Sequence, residues 1–172
     1  IAKIGNIAFA NMDICLIGQP FLESLHDRYN ESVGLYIAEE DKRVCVARID
    51  STQSLRQCVP IGSTRPLDCG ASGHVLMAFG EDKIVDKILA TSKFCTKAML
   101  EKVREQGYSI SYGEFIEGVT SIAAPVFDSS HKIVCALFLT APSMRVSLER
   151  LHTYVDKITK TASQMSIQLG YS

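Results

Sequence analysis

Apolar positions recur along this chain in two periods, and the switches between them divide it into elements. Ile14, Ile17, Phe21, Leu25 and Tyr29 keep the three-to-four spacing of a helix with one apolar face. The opening stretch, residues 1–29, is therefore expected to be helical, with a cap at Asp13 and a kink or restart at Pro20. At Ser32 the period drops to two. Val33, Leu35 and Ile37 alternate with Gly34, Tyr36 and Ala38, Glu40-Asp41-Lys42 makes a polar turn, and Val44, Val46 and Ile49 lie on the returning strand of a hairpin. A third strand is expected over residues 55–60, before a loop carrying Gly62 and Pro66.

Helical spacing then returns. Residues 71–79 form a short helix that stops near Gly80, and Ile84, Val85, Ile88 and Leu89 form a second. Thr96 caps a third, whose stripe is Met99, Leu100 and Val103 and whose stop is Gly107. Residues 108–112 read as a strand, and residues 119–127 pair with 132–140 across Asp128-Ser129-Ser130-His131. The last helix is expected over 148–169, with Ser147 at its N-cap and Gly170 just past its end. Its Leu148, Leu151, Val155, Ile158, Ala162, Met165 and Leu169 repeat as heptads, a stripe suited to packing on a sheet. Two groups of antiparallel strands among helices define an α+β domain around one six-stranded sheet, with no internal linker or repeat.

Composition narrows the function more than it names it. The 172 residues suffice for one domain, and 47% hydrophobic with 22% charged content excludes a disordered chain. Eighteen basic and nineteen acidic side chains leave a formal charge of −1, with no basic cluster to grip nucleic acid and no apolar run to span a membrane. The chain starts at Ile1 without Met, so it is expected to be part of a longer protein. Cys15, Cys45, Cys58, Cys69, Cys95 and Cys135 lie too far apart for the paired ligands of a zinc site. A reduced, cytoplasmic protein with mostly buried thiols, no metal and no cofactor is expected.

The chemistry concentrates in Gly62-Ser63-Thr64-Arg65-Pro66-Leu67-Asp68-Cys69-Gly70-Ala71-Ser72-Gly73-His74, a turn-rich loop that ends in small residues at a helix start. Free amides at Ala71, Ser72 and Gly73 favour an anion, although tight helix packing alone explains the same small residues. Ser72 does not fit a nucleophile elbow, because His74 replaces the glycine that the motif requires. His26, His74, His131 and His152 are expected at the surface, and Glu114 and Glu117 on a solvated turn. Lys83, Lys87, Lys93 and Lys97 alternate with acids as a solvated face. Ser111, Ser121 and Thr140 are hydroxyls within apolar strands, and a buried hydroxyl wants a partner, for which a ligand is one candidate.

Segments 67–79, 107–114 and 118–128, then Ala141-Pro142-Ser143-Met144-Arg145, taken in order, resemble the C-terminal effector-binding domain of IclR-family transcriptional regulators. The resemblance runs along essentially the whole chain. It implies a GAF-like domain, a curved and mainly antiparallel six-stranded sheet flanked by helices, over residues 13–172. Residues 1–12 would be the end of an interdomain helix. A winged helix-turn-helix domain, absent from this chain, would bind DNA. The partners implied are a small-molecule effector and further copies of the chain in a homodimer or homotetramer, with no membrane. Site positions carried over are Leu67, Ala71, Ser72, Gly73, Ser111, Ser121, Phe138 and Thr140. Members that bind glyoxylate or pyruvate have an acid where Ser111 stands, a cysteine where Ser121 stands and a small polar residue where Phe138 stands. The resemblance thus implies a retained anion dock, probed by an organic or sugar acid, with an altered specificity end. A cysteine-based redox enzyme and a ligand-free assembly module are the alternatives.

Overall fold

The computed structural model describes residues 11–172. Helix α1 (Met12–Tyr29) starts after Asn11, so Asp13 lies inside its first turn, and it continues through Pro20 as one helix. The first ten residues of the expected interdomain helix lie outside the described residues. Strands β1 (Ser32–Glu39) and β2 (Lys42–Ile49) form the expected hairpin.

The third strand is not where the alternation placed it. Residues 55–60 are irregular, and β3 is the short Thr64–Pro66 segment pairing with Lys42–Val44. Leu55 and Cys58 are exposed and Val59 alone of the stretch is buried, so no alternating buried face held it in a sheet. Helices α2 (Ala71–Ala78), α3 (Asp82–Leu89) and α4 (Lys97–Gln106) follow. The side chain of Thr96 accepts from Met99 N–H at 3.3 Å, and Gly107 ends α4 in the left-handed conformation.

Strands β4 (Ser109–Tyr112), β5 (Val119–Phe127) and β6 (Ile133–Pro142) complete an antiparallel sheet of order β3-β2-β1-β6-β5-β4. The expected single terminal helix is two. Helix α5 (Leu148–His152) and α6 (Val155–Gln168) meet at Thr153 and Tyr154, whose amides make tight i→i−3 bonds to Arg150 and Leu151. Tyr154 is held there by ring contact with Tyr29, 4.0 Å between centroids.

Alternation along the strands separates two cores. On one face Val33, Leu35, Ile122, Leu137 and Leu139 pack under Leu22 and Leu25 of α1 and Ile158, Ala162 and Met165 of α6. On the other, Tyr36, Cys45, Ala123, Ala136 and Phe138 meet Val75, Leu76 and Met77 of α2 and Leu100 and Val103 of α4. Heptad residues Leu151, Ile158, Ala162 and Met165 are buried in the first core, while Leu148 is exposed.

Candidate functional site

Where α2 approaches the sheet its first turn stands off, leaving a cavity of about 70 Å3. The floor is a row of hydroxyls. Ser111 of β4 pairs with Ser121 of β5, Ser121 with Thr140 of β6, and Thr140 with Ser32 of β1. Three line the cavity, Ser111, Ser121 and Thr140. Ser111 and Ser121 share a hydrogen bond of 2.9 Å, and Thr140 donates to Thr120 O at 3.2 Å. Ser32 instead donates to Gln57 O at 3.0 Å.

Phe138 lies next in the same face, with its ring 4.7 Å from that of Tyr36 and only 3% of its surface exposed. Gly34 makes room for it. A Cβ at residue 34 would stand 2.8 Å from the Phe138 ring and collide with the carbonyl of Ala47. The ring narrows the cavity without closing it.

The roof is the start of α2. The first intrahelical bond runs from His74 N–H to Gly70 O, so the amides of Ala71, Ser72 and Gly73 precede it without such partners. No side chain in the helix caps this end. Glu114 reaches it from the loop after β4 and accepts from Gly70 N–H at 2.7 Å. That overturns the expectation of a solvated Glu114, while Glu117 is exposed as expected.

His74 is likewise not a surface residue. Its ring is buried, with Nε2 3.4 Å from Glu114 Oε2 and no hydrogen bond to that nitrogen among the described residues. Burial pushes its pKa below the usual histidine value, and the Glu114 charge opposes that shift. A helix of small residues packed on a sheet carries all of its faces inside, so polarity at position 74 did not report exposure.

Three arginines complete the walls: Arg43, Arg48 and Arg65. None was found by pattern. Arg43 is buried and donates through Nη1 to the carbonyls of Pro66 and Cys69, clamping the loop that enters α2. Arg48 donates through Nε to Asp50 and through Nη2 to Gln57 O. Their guanidinium carbons lie 5.2 Å from the Tyr36 centroid and 5.8 Å from the Phe138 centroid, and that of Arg65 5.1 Å from Phe115.

A bulge puts Arg43 and Arg48 together. Residues five apart on a regular strand point to opposite faces. In β2, Ala47 pairs with Leu35 but Cys45 pairs with Tyr36, so Val46 is an extra residue that returns Arg48 to the face of Arg43. The only sequence signal was a pair of arginines inside a strand that is apolar between and after them.

Of the eight positions carried over by resemblance, Ala71, Ser72, Ser111, Ser121, Phe138 and Thr140 line this cavity. Gly73 and Leu67 do not. A Cβ on Gly73 would strike the Leu67 carbonyl and stand 2.7 Å from Arg43 Nη1, so this glycine lets α2 sit on its entry loop. Leu67 lines a separate cleft with Leu76, Phe79 and Val85. Amide, hydroxyl and guanidinium donors converge around one small space, the chemistry that holds an oxyanion. Burial raises the Cys45 and Cys95 thiols to about 11 and pushes Cys69 and Cys135 upward too, which disfavours thiolate chemistry. Among the described residues no cluster of three or more His, Cys, Asp or Glu side chains could hold a metal ion.

The fold is that of a regulatory effector-binding domain. The sequence pattern described as bacterial transcriptional regulator IclR C-terminal matches residues 7–167. The chain belongs to that family. It is 33% identical to the HTH-type transcriptional regulator KdgR of Escherichia coli K12, across 98% of this chain and 69% of that protein. The solved C-terminal domain of E. coli KdgR matches with a TM-score of 0.78 and 31% identity, covering 92% of this chain and 99% of that one. The Thermotoga maritima IclR structure shares the fold at a TM-score of 0.86 and 22% identity, over 99% of this chain and 74% of that one. Among the described residues no helix is long and apolar enough to cross a membrane.

Proposed function

We propose that this domain senses a small organic or sugar acid and passes its occupancy on to DNA binding by a longer regulator. The observation that carries the reading is the cavity itself, with unpaired α2 amides above a row of hydroxyls and arginines around the rim. Its volume of about 70 Å3 suits a compact ligand, since one water needs roughly 10–15 Å3 on the same measure. A carboxylate at Ala71 and Ser72 gains two amide donors and the positive end of α2.

The DNA contact belongs to a helix-turn-helix domain outside this chain, a reading supported by the named class of the KdgR relatives. The regulator acts in the cytoplasm as a homodimer or homotetramer, and the effector favours one arrangement of its subunits. Such coupling needs the ligand to bind that arrangement more tightly.

Thermal melting against small carboxylates, with Ala71→Pro beside the wild type, tests the dock. Proline suits the first helical position, and Gly70 before it already has ψ 156. A bound acid at 100 times its Kd adds about 2.7 kcal/mol, and Ala71→Pro should abolish the shift. No shift with any acid, or a shift unchanged in a folded Ala71→Pro variant, overturns the reading.

A further inference from the structure

Among the described residues few buried side-chain nitrogens lack a hydrogen bond, and two of them, Arg43 Nε and Arg48 Nη1, belong to residues lining the cavity. Arg43 is already committed through Nη1 to two carbonyls of the α2 entry loop. Arg48 differs. Its side chain is 3% exposed, two of its three nitrogens are tied to Asp50 and Gln57, and the third has no acceptor. A buried guanidinium N–H without an acceptor is rare, because it has left water and gained nothing in return.

The surroundings point to a missing acceptor with negative charge. The residues lining the cavity bring three guanidiniums and one carboxylate, and that carboxylate, Glu114, already takes Gly70 N–H. Asp50, the counter-ion of Arg48, is 45% exposed, so water screens much of its charge. Tyr36 and Phe138 flank Arg43 and Arg48 and lower the local polarity, which strengthens any charge pair formed there. The bulge at Val46 lies between Arg43 and Arg48 and turns Arg48 toward this space.

We propose that Arg48 is a second anchor and that the effector is a short dicarboxylate: one carboxylate at the Ala71 and Ser72 amides, the other on Arg48 Nη1. This rests on the acid-sensing reading above and narrows it. Guanidinium is the side chain best matched to a carboxylate, and a monoacid leaves Arg48 Nη1 as it now stands. Arg48 therefore sets specificity, while the α2 amides supply binding common to all acids.

Calorimetric titration of the 172-residue chain with malonate and succinate against propionate and butyrate tests it. The diacids should bind at least 10-fold tighter than the monoacids of equal carbon count. In Arg48→Met that preference should fall below 2-fold. If Arg48→Met loses its cooperative melt, Arg48→Gln, which keeps a donor for Gln57 O, is read by the same criterion. Monoacids that bind as well as diacids to the wild type, or a preference that survives in the variants, overturn the proposal. Failure of all four acids to bind overturns the short-dicarboxylate proposal, while absence of any melting shift across the wider carboxylate panel overturns the acid-sensing reading itself. The two failures are thereby told apart.

Discussion

Leu137 and Phe138 are neighbours on β6, yet they live in different kinds of interior. Leu137 faces α1 and α6, where Leu22, Leu25, Ile158 and Met165 meet the sheet and the buried hydroxyls of Thr120 and Ser166 are hydrogen-bonded. Phe138 faces α2, where the same sheet also carries Ser111, Ser121 and Thr140 and the buried Arg43. The first face is close-packed and closed to solvent, so its side chains answer only to volume. The second keeps a cavity, unpaired donors and a ring lodged over a glycine, features that cost stability and are retained where a ligand completes them. Over residues 135–141 of β6 the sheet thus divides its labour by parity: Cys135, Leu137, Leu139 and Ala141 build one core, while Ala136, Phe138 and Thr140 face the side that carries the cavity.

Leu137→Ala should show the largest effect. It leaves a void in a region with no slack, and we expect a loss of about 3 kcal/mol in urea unfolding. Phe138→Leu should cost much less, about 1 kcal/mol, because the space beside it is already open. It should also admit bulkier acids. Equal costs at the two positions would remove the distinction between the faces. A smaller step follows at the hydroxyl row. Ser111→Ala removes the partner of Ser121 Oγ, but that hydroxyl lines the cavity and water can replace the bond. We expect about 0.5 kcal/mol, within the net worth of one hydrogen bond. A loss several times larger would show that the row is sealed like the opposite face.

The closed face was the legible one. Its leucines and isoleucines recur at period two in the strands and at three-to-four spacing in α1 and α6, and that repetition is all that core packing needs. The helix caps at Thr96 and Ser147 were legible for the same reason, since cap and amide lie three residues apart. From the residues alone the cavity face was read only where they stand near each other in the chain, at Ala71 and Ser72, or where a hydroxyl interrupts an apolar run, and Phe138 came only with the family resemblance. Glu114 caps a helix 44 residues away, and no local pattern encodes that. Arg48 was hidden by the bulge, because strict alternation assigns it to the wrong face. β3 was misplaced by Leu55, Cys58 and Val59, of which the structure buries Val59 and leaves the other two exposed, a case where propensity had too little packing behind it.

The smallest expected effect depends on pH. His74 is buried against Arg43 and Glu114, and burial, the largest influence, lowers its pKa from 6.5. The folded protein therefore resists protonating this ring more than the unfolded chain does. Stability from this group is complete above about pH 6.5 and declines as pH falls toward the lowered value, where the unfolded state binds the extra proton. Carboxylates elsewhere also lose charge in acid, so the informative quantity is a difference between variants. In urea unfolding at pH 7.5 and 5.5, His74→Gln should lose less stability on acidification than the wild type. An identical loss would mean that Glu114, 3.4 Å away, accommodates the charged ring and that the cavity face tolerates protonation at the α2 start. A smaller loss in the variant would mean that the site is built around a neutral imidazole, leaving the Ala71 and Ser72 amides to face an incoming carboxylate without a competing cation beneath them.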